Sequence, residues 1–285
     1  MWKKCKHYED VLLKHELLKA FRVSAFSNND MYRGIIPWFR GQGTSNAFQR
    51  GCCLMRRYVS NVRSEDDIKN FIIDNTEIVS SQNLTPEISL RLFTPICRFW
   101  TEKPELWPFP DPYWAIYWPG GQALSRYLLN NPEVSGGRKV LDLGCGCGAS
   151  AIAAKLSGAS HVVANDIDPI AAIATKMNCQ LNNVDPLPCV TDNMIGSKPE
   201  AWDLILLGDM FYDEGLADHL HKWLQTCIST HGTQVLIGDP GRAQFESHDI
   251  RKLLHQLAYF ELPDSVKEEN YGLTYSTVWC YKLQT

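Results

Sequence analysis

The sequence predicts an α/β fold with a doubly wound, mostly parallel seven-stranded sheet, an antiparallel edge strand and an N-terminal helical and aromatic extension. From residue 136 onward, short apolar runs alternate with segments of helical periodicity, which is typical of parallel strands connected by helices. The last two apolar runs have no helical segment between them, so we expect one antiparallel strand at the edge. A glycine-rich run, residues 142–148, separates the first strand from the first helix.

Length and composition agree with this fold class. A chain of 285 residues accommodates one α/β catalytic domain with an extension. Hydrophobic residues make up 45% and charged residues 21%, which excludes an intrinsically disordered or fibrous protein. No apolar run reaches the roughly 18 to 20 residues of a membrane span, so we expect no membrane insertion. The ten cysteines include no C-x-x-C pair, which indicates a reducing compartment.

The charged residues are divided unevenly along the chain. Residues 1–60 carry 11 basic and 4 acidic side chains, whereas the remaining residues carry 17 basic and 28 acidic ones. An acidic body repels phosphate backbones, so we expect no nucleic-acid partner and favour a cationic substrate.

The N-terminal residues have the composition of a targeting segment. Between Phe21 and Arg63 every basic residue is an arginine, and Asp30 is the single acid. This composition predicts that residues 1–63 are a mitochondrial transit peptide, cleaved near residues 57–64, and that the mature protein lies in the mitochondrial matrix. A disordered cytosolic tail is the alternative.

Residues 64–135 are expected to form an extension ahead of the catalytic domain, residues 136–285. The segment 64–83 is predicted to be a helix with Ser64 as its N-cap and three acidic residues in its first turn. Seven prolines and four tryptophans within residues 86–119 exclude a regular helix there and indicate a wall or lid packed on the catalytic domain. Residues 120–129 follow as a helix.

The apolar runs of the catalytic domain predict its strands and helices. The predicted strands are residues 139–143, 161–165, 188–191, 203–207, 234–238, 258–262 and 274–281. The predicted helices are residues 149–156, 169–181, 214–228 and 244–257. Ligands of open α/β sheets bind at the carboxyl ends of the strands, so polar residues directly after a strand are the candidate site residues.

The glycine run after the first strand indicates a nucleotide-type cofactor. Gly144 and Gly146 let the backbone pass close under a ligand, and Cys145 between them contributes its N–H. With Ala149 the spacing also fits the dinucleotide pattern G-x-G-x-x-A. Asp142 discriminates between the two cofactors, because a carboxylate there repels a pyrophosphate but can hold the ammonium of a methionine moiety. The run therefore favours S-adenosyl-L-methionine over NAD.

An acid follows the second strand. Asp166 lies 22 residues after Gly144, where a carboxylate can accept both ribose hydroxyls of the cofactor. Asp168 precedes Pro169, and this pair is more typical of a helix N-cap than of a ligand contact.

For Asn193 and for Trp118 the sequence leaves two roles open. Asn193, after the third strand, either bonds an adenine edge or satisfies its own turn. Trp118 either walls the methionine end of the cofactor or belongs to a structural aromatic cluster. The candidate cofactor residues are therefore Asp142, Gly144, Cys145, Gly146, Asp166, Ile167, Asn193 and Trp118.

The fourth strand continues directly into Asp209 and Tyr212, which makes them the candidate catalytic residues. The pattern D-x-x-Y at this point, with D-L-G-x-G-x-G before it, resembles the seven-strand protein lysine methyltransferases. The N/D-P-P-Y/F motif of adenine methyltransferases is absent. The resemblance implies a Rossmann-like class I methyltransferase that uses S-adenosyl-L-methionine, with Asp209 and Tyr212 on the substrate side.

Longer runs carry this resemblance over about residues 64–285. They are residues 113–120, 165–169, 208–213 and 236–242. They are similar to the mitochondrial branch of the family, whose members methylate the electron transfer flavoprotein β subunit. This implies trimethylation of lysines on that partner, damped electron transfer from dehydrogenases, and a location in the mitochondrial matrix.

Methylation of lysine requires the free amine as nucleophile. With a lysine pKa of about 10.4, fewer than about one in a thousand side chains is neutral at pH 7, a deficit of roughly 4 to 5 kcal/mol. Asp209 would orient the amine but also stabilise its charged form, whereas desolvation by Phe211, Tyr212 and the tryptophans would act in the opposite direction. We expect alignment to be the main contribution, with proton loss to solvent before closure.

The sequence leaves other functions open. The alternatives are a methyltransferase for another protein or a small amine, a non-catalytic cofactor-binding assembly factor and, last, a nicotinamide oxidoreductase. The histidines form no metal-ligand grouping, so we expect no metal. The run 239–242 after the fifth strand either borders the substrate entrance or turns the chain.

Overall fold

The computed structural model describes residues 64–102, 112–270 and 272–281, all within the compact unit Met55–Thr285. The predicted transit peptide, residues 1–63, lies outside the described residues, as do Trp107 and the prolines at 104, 108 and 110. Within the described ranges, no helix is long and apolar enough to cross a membrane.

In the described part of the chain, seven strands form one sheet in the order β5-β4-β3-β6-β7-β9-β8. The strands are β3 Lys139–Leu143, β4 His161–Asn165, β5 Cys189–Val190, β6 Leu204–Gly208, β7 Gln234–Asp239, β8 Leu254–Glu261 and β9 Tyr275–Tyr281. The five strands from β5 to β7 are parallel, and β9 and β8 are antiparallel to their neighbours. The predicted fold class is confirmed. The last strand, β9, lies between β7 and the edge strand β8.

Helices cover both faces of the sheet. The helices of the catalytic region are α3 Pro119–Asn130, α4 Ala149–Leu156, α5 Pro169–Leu181, α6 Glu214–His231, α7 Ala243–Ser247 and α8 Asp264–Glu269. Side chains alternate along each strand, so Leu204 and Leu206 of β6 pack with α3 and α4, whereas Ile205 and Leu207 pack with α6 and α7. Because helices cover both faces of the sheet, the polar site residues lie at the ends of the strands.

The extension packs on the outer side of α5. It consists of α1 Glu65–Asn75, the antiparallel pair β1 Glu77–Val79 and β2 Leu90–Leu92, α2 Arg98–Thr101 and a 3-10 turn, Tyr113–Ala115. Phe71 and Ile72 of α1 share a buried cluster with Ile170 and Met177 of α5. Asn178 of α5 accepts the N–H of Arg91 at 2.8 Å, and Asn182 accepts that of Ser89 at 2.8 Å. These two amides hold the end of β2 against the helix.

Two predicted helices are shorter in the structure. The helix expected over 64–83 begins with Ser64 as its N-cap but ends at Asn75. Ile78 and Val79 of the following segment pair with β2, because β-branched residues suit a strand better than a helix end. The helix expected over 244–257 is replaced by α7, a 3-10 turn, Asp249–Leu253, and the first half of β8.

A helix also lies where none was predicted, since α8 connects β8 to β9. The strand predicted over 258–262 begins four residues earlier, at Leu254, and the remaining predicted elements agree with the structure to within about three residues at each end.

Helix α3 lies very close to the carboxyl ends of β6 and β7. A Cβ added at Gly120 would overlap the carbonyl oxygen of Gly238 and approach Asp209, and one added at Gly238 would overlap Gly120. Glycine is required at both positions because the two backbones touch. This contact brings the first turn of α3 to the edge of the sheet where the candidate site lies.

Candidate functional site

A cavity opens beside the glycine loop at the carboxyl end of β3. Its walls come from the segment before α3, from the loop itself, from the start of α4 and from the end of β6. The lining residues are Ile116, Tyr117, Trp118, Gly121, Asp142, Gly144, Cys145, Gly146, Cys147, Ala149, Ser150 and Gly208. Five predicted cofactor residues, Asp142, Gly144, Cys145, Gly146 and Trp118, therefore lie around one cavity.

The loop conformation depends on its glycines. Gly144, Gly146 and Gly148 have φ of +70°, +52° and +80°, a region that residues with a Cβ rarely occupy. A Cβ at Gly148 would also come within 2.6 Å of Thr175. The N–H groups of Gly144 and Cys145 both donate to the carbonyl of Asn165 at 2.8 and 2.9 Å, which ties the loop to the end of β4.

Asp142 is a buried acid aimed at this cavity. Its side chain is 2% exposed, and Oδ2 accepts the N–H of Ala151 at 2.9 Å. Oδ1 is therefore the oxygen available to a ligand. Burial raises the pKa of Asp142 to about 7, against the lowering effect of the Ala151 hydrogen bond. An isolated buried carboxyl of this kind is suited to a cationic partner such as the ammonium of S-adenosylmethionine, so the residues fit that cofactor.

Asp166 lies at the end of β4. Its Oδ2 accepts the N–H of Gly146 at 3.0 Å and its Oδ1 that of Asp168 at 3.0 Å, while burial raises its pKa. These bonds orient the carboxylate and leave further lone pairs for ribose hydroxyls. Asp168 caps α5 by accepting the N–H of Ile170, which confirms the N-cap prediction. Ile167 between them is 72% exposed.

Asn193 is exposed, and its Oδ1 accepts the N–H of Ile195 at 3.0 Å. The amide thus satisfies its own turn, and a contact to the adenine stays a prediction. Cys145 Sγ lies 3.6 Å from the hydroxyl of Thr175, and burial raises the pKa of the Cys145 thiol. Its thiol is therefore protonated, and its N–H, expected at the cofactor, instead donates to the carbonyl of Asn165 and fixes the loop.

Asp209, the acid of the D-x-x-Y motif, follows β6 directly in a left-handed conformation with φ of +57°. It is 5% exposed. Oδ2 accepts the N–H groups of Gly120 at 2.5 Å and Gly121 at 3.2 Å, in the first turn of α3. Trp118, the N-cap residue of α3, makes no side-chain cap, so Asp209 supplies the acceptor that this helix start lacks.

Arg242 completes the surroundings of Asp209 and was not predicted as a site residue. Its Nε and Nη2 donate to Asp209 Oδ1 at 3.0 and 2.6 Å, and its guanidinium lies 5.6 Å from the ring centre of Trp118. The sequence leaves open whether the run 239–242 borders the entrance or turns the chain, and Arg242 lies 33 positions after Asp209. Only the adjacency of β6 and β7 brings them together.

An aromatic wall lies next to this charged pair. We use that name for Tyr113, Trp118 and Tyr212. The ring centres of Tyr113 and Trp118 are 6.1 Å apart, and those of Tyr113 and Tyr212 are 6.3 Å apart. Tyr113 is 39% and Tyr212 37% exposed, so the wall is open to an approaching side chain. Tyr212 therefore lies at the entrance, on the same side of the sheet edge as Asp209.

These features define a class of enzyme. A sheet of this strand order, with a glycine loop after β3, a buried acid beneath the cavity and a second acid after β4, belongs to the class I S-adenosylmethionine-dependent methyltransferases. In agreement, the family model for ribosomal protein L11 methyltransferase (PrmA) matches residues 122–207.

Relatives define the family. The electron transfer flavoprotein beta subunit lysine methyltransferase of Danio rerio is 82% identical over 255 residues, which cover 89% of this chain and 99% of that protein. The Homo sapiens protein of the same name is 59% identical over 218 residues, which cover 76% and 83%. A solved ribosomal protein L11 methylase from Lactobacillus delbrueckii subsp. bulgaricus has a TM-score of 0.40 and 19% identity, covering 56% of this chain and 77% of that one.

The chain belongs to the family of electron transfer flavoprotein beta subunit lysine methyltransferases. It is a protein-lysine methyltransferase, and its methyl donor is S-adenosyl-L-methionine. The predicted enzyme class and cofactor are confirmed. The roles of the individual site residues stay predictions.

Proposed function

We propose that this chain methylates lysines of the electron transfer flavoprotein β subunit in the mitochondrial matrix, up to the trimethylated state, and so damps electron transfer from dehydrogenases to that flavoprotein. The observation that supports this proposal is the name shared by relatives from fish and human at 82% and 59% identity. The acidic body and the aromatic wall agree with a cationic side chain as acceptor.

The acceptor lysine would reach the site along the aromatic wall. Tyr113, Trp118 and Tyr212 offer faces to its methylene groups and to its ammonium, which favours entry of a lysine. They also exclude water from the amine, which favours the neutral form. Asp209 would orient the amine indirectly, because its two oxygens already accept hydrogen bonds from the first turn of α3 and from Arg242 and so fix both beside the path.

S-adenosylmethionine, when bound, supplies a methyl group on a sulfonium sulfur. The chain would hold it by Asp142 at the ammonium, by the glycine loop and by Asp166 at the ribose. Bound there, it would supply its methyl group to a neutral lysine nitrogen with S-adenosylhomocysteine as the leaving group, and each ammonium would first lose one proton to solvent. No described residue is needed as a permanent proton acceptor, so alignment is the main contribution of the protein.

The test of the substrate uses the full chain, labelled S-adenosylmethionine, purified flavoprotein and matrix extract from cells that lack the enzyme. We expect label on lysines of the β subunit, located by mass spectrometry, and loss of that label in Asp209→Ala. Asp213→Asn is a matched control, because an asparagine also caps α6. Label on a different protein would replace the substrate, and no label despite cofactor binding would favour an assembly factor.

The location is tested separately. The full chain and a chain that begins at Ser64 are each expressed with a C-terminal tag in cells. We expect the full chain in the matrix and the shorter chain in the cytosol, because the arginine-rich residues precede Ser64. The same distribution for both chains would contradict a transit function of residues 1–63.

A further inference from the structure

Arg242 is held at three points. Two guanidinium nitrogens donate to Asp209 Oδ1, the guanidinium lies over Trp118, and its backbone N–H donates to Asp239 Oδ1 at 2.8 Å. The side chain is 21% exposed and that of Asp209 is 7% exposed. These contacts fix the guanidinium beside Asp209, so its charge is part of the site.

The loop that carries Arg242 is equally defined. Asp239, the last residue of β7, also accepts the N–H of Gly241 at 2.8 Å. Gly241 has φ of +88°, and a Cβ there would lie 2.9 Å from the hydroxyl of Tyr275 on β9. The turn between β7 and α7 therefore has one conformation that places the guanidinium on Asp209.

A second acid, Asp239, lies close to Arg242. Asp239 is 1% exposed, and its Oδ2 is buried without a hydrogen-bond partner. Burial and the nearby Asp209 raise the pKa of Asp239 to about 8, so this acid is mostly neutral at pH 7. The hydroxyl of Tyr275 lies against Gly241 of the same turn, and Asp142 lines the cofactor cavity. Both guanidinium hydrogen bonds of Arg242 therefore go to one acid, Asp209.

We propose that Arg242 is a positioning residue that neutralises Asp209, so that the carboxylate holds the first turn of α3 without stabilising the ammonium form of the substrate lysine. This inference deepens the proposed function and rests on it. A lone carboxylate raises the pKa of a lysine nearby, whereas a carboxylate paired with a fixed guanidinium does not. The pair of Asp209 and Arg242 would then present no net charge to the substrate ammonium.

The test is the pH dependence of methyl transfer, measured as kcat and KM between pH 6.5 and 10. Arg242→Gln removes the charge, Arg242→Lys keeps it, and Arg251→Gln is the control, since Arg251 is comparably buried but stacks on Trp279 at 3.5 Å. We expect Arg242→Gln to lower kcat at pH 7.5 by about tenfold and to shift the acid limb of the kcat–pH profile upward by about one pH unit. At pH 10 its kcat should approach that of the parent enzyme.

Arg242→Lys should keep the acid limb within a few tenths of a unit of the parent enzyme, and Arg251→Gln should match it throughout. A loss of kcat in Arg242→Gln that is equal at every pH would overturn the inference, because Arg242 would then have only a structural role. A lower KM with unchanged kcat in Arg242→Gln would also overturn it, because Arg242 would then be a competitor of the substrate lysine.

The acceptor is the flavoprotein β subunit. If the parent enzyme labels another matrix protein instead, the proposed substrate fails and the same pH comparison is made on that protein, because the inference concerns only the amine. Absence of label on every acceptor would overturn both proposals.

Discussion

Asp209 serves two neighbours at once, since one oxygen receives the first turn of α3 and the other receives Arg242. Its replacement therefore changes folding as well as chemistry. A loss of activity in Asp209→Ala alone would not separate these effects, and a graded pair of variants is needed.

Asp209→Ala should lower the free energy of unfolding by about 3 to 5 kcal/mol, because it leaves two N–H groups and the half-buried Arg242 without their acceptor. Asp209→Asn should cost about 1 to 3 kcal/mol, since asparagine keeps an acceptor and tolerates the positive φ. Urea unfolding with and without S-adenosylhomocysteine measures both. Equal stability of the two variants would contradict the capping role of Asp209.

The pKa of Asp142 predicts how cofactor binding depends on pH. A pKa of about 7 means that the ionised form that pairs with an ammonium predominates only above pH 7. The affinity for S-adenosylhomocysteine should therefore fall about tenfold between pH 8 and pH 6, as measured by calorimetry. Asp142→Asn should bind weakly without this pH dependence.

Asp203→Asn is the control for that experiment. Asp203 accepts the N–H of Lys139 at 2.8 Å at the opposite end of the strands, so its change should leave the pH dependence intact. A tenfold loss that persists in Asp142→Asn would assign the dependence to another group.

At the scale of single elements, α3 is the helix on which the site depends. Gly120→Ala should cost about 3 kcal/mol of unfolding free energy, because its Cβ meets the backbone of Gly238 and Asp209, which cannot move apart without opening the sheet edge. Gly121→Ala is the matched control, since its Cβ would lie 3.7 Å from Tyr117 in ordinary contact, and it should be neutral or slightly stabilising. Similar losses in both variants would mean that the backbone contact is adaptable.

The elements that the sequence predicts well are those whose signals are local. Strand β3, helix α4, strand β4 and helix α5 agree with their predicted bounds because an apolar run, a glycine turn and the Asp168 cap each lie within a few residues. The segment 244–257 has helical periodicity, but its last four residues form the start of β8. Pairing of β8 with β9, some twenty residues away, overrides the local pattern.

The cofactor site can be predicted because its signals are local in the sequence. The substrate site can be predicted only in part. Asp142 and the glycines are contiguous in sequence, whereas Arg242 acquires its partner through the pairing of β6 and β7. Nothing in the sequence around Arg242 identifies Asp209 as its acceptor.

At the scale of the whole molecule, the extension is part of the fold and covers α5. A chain that begins at Pro112 would lose Phe71, Ile72, Phe93 and Phe99 and expose Ile170 and Met177. Burial of each large side chain contributes about 1.5 to 3 kcal/mol, so we expect its Tm to fall by at least about 10 °C relative to a chain that begins at Ser64. Calorimetry measures this. Equal Tm values would show that α5 is stable without its cover.

The first turn of α3 contacts both the cofactor cavity and Asp209. Gly121 lines the cofactor cavity and its N–H donates to Asp209, while Trp118 borders the cavity and lies under Arg242. A cofactor that contacts this turn would therefore also fix Asp209 and Arg242, so we expect a compulsory order in which the nucleotide binds first and leaves last. S-adenosylhomocysteine would then inhibit competitively against the methyl donor and noncompetitively against the protein acceptor.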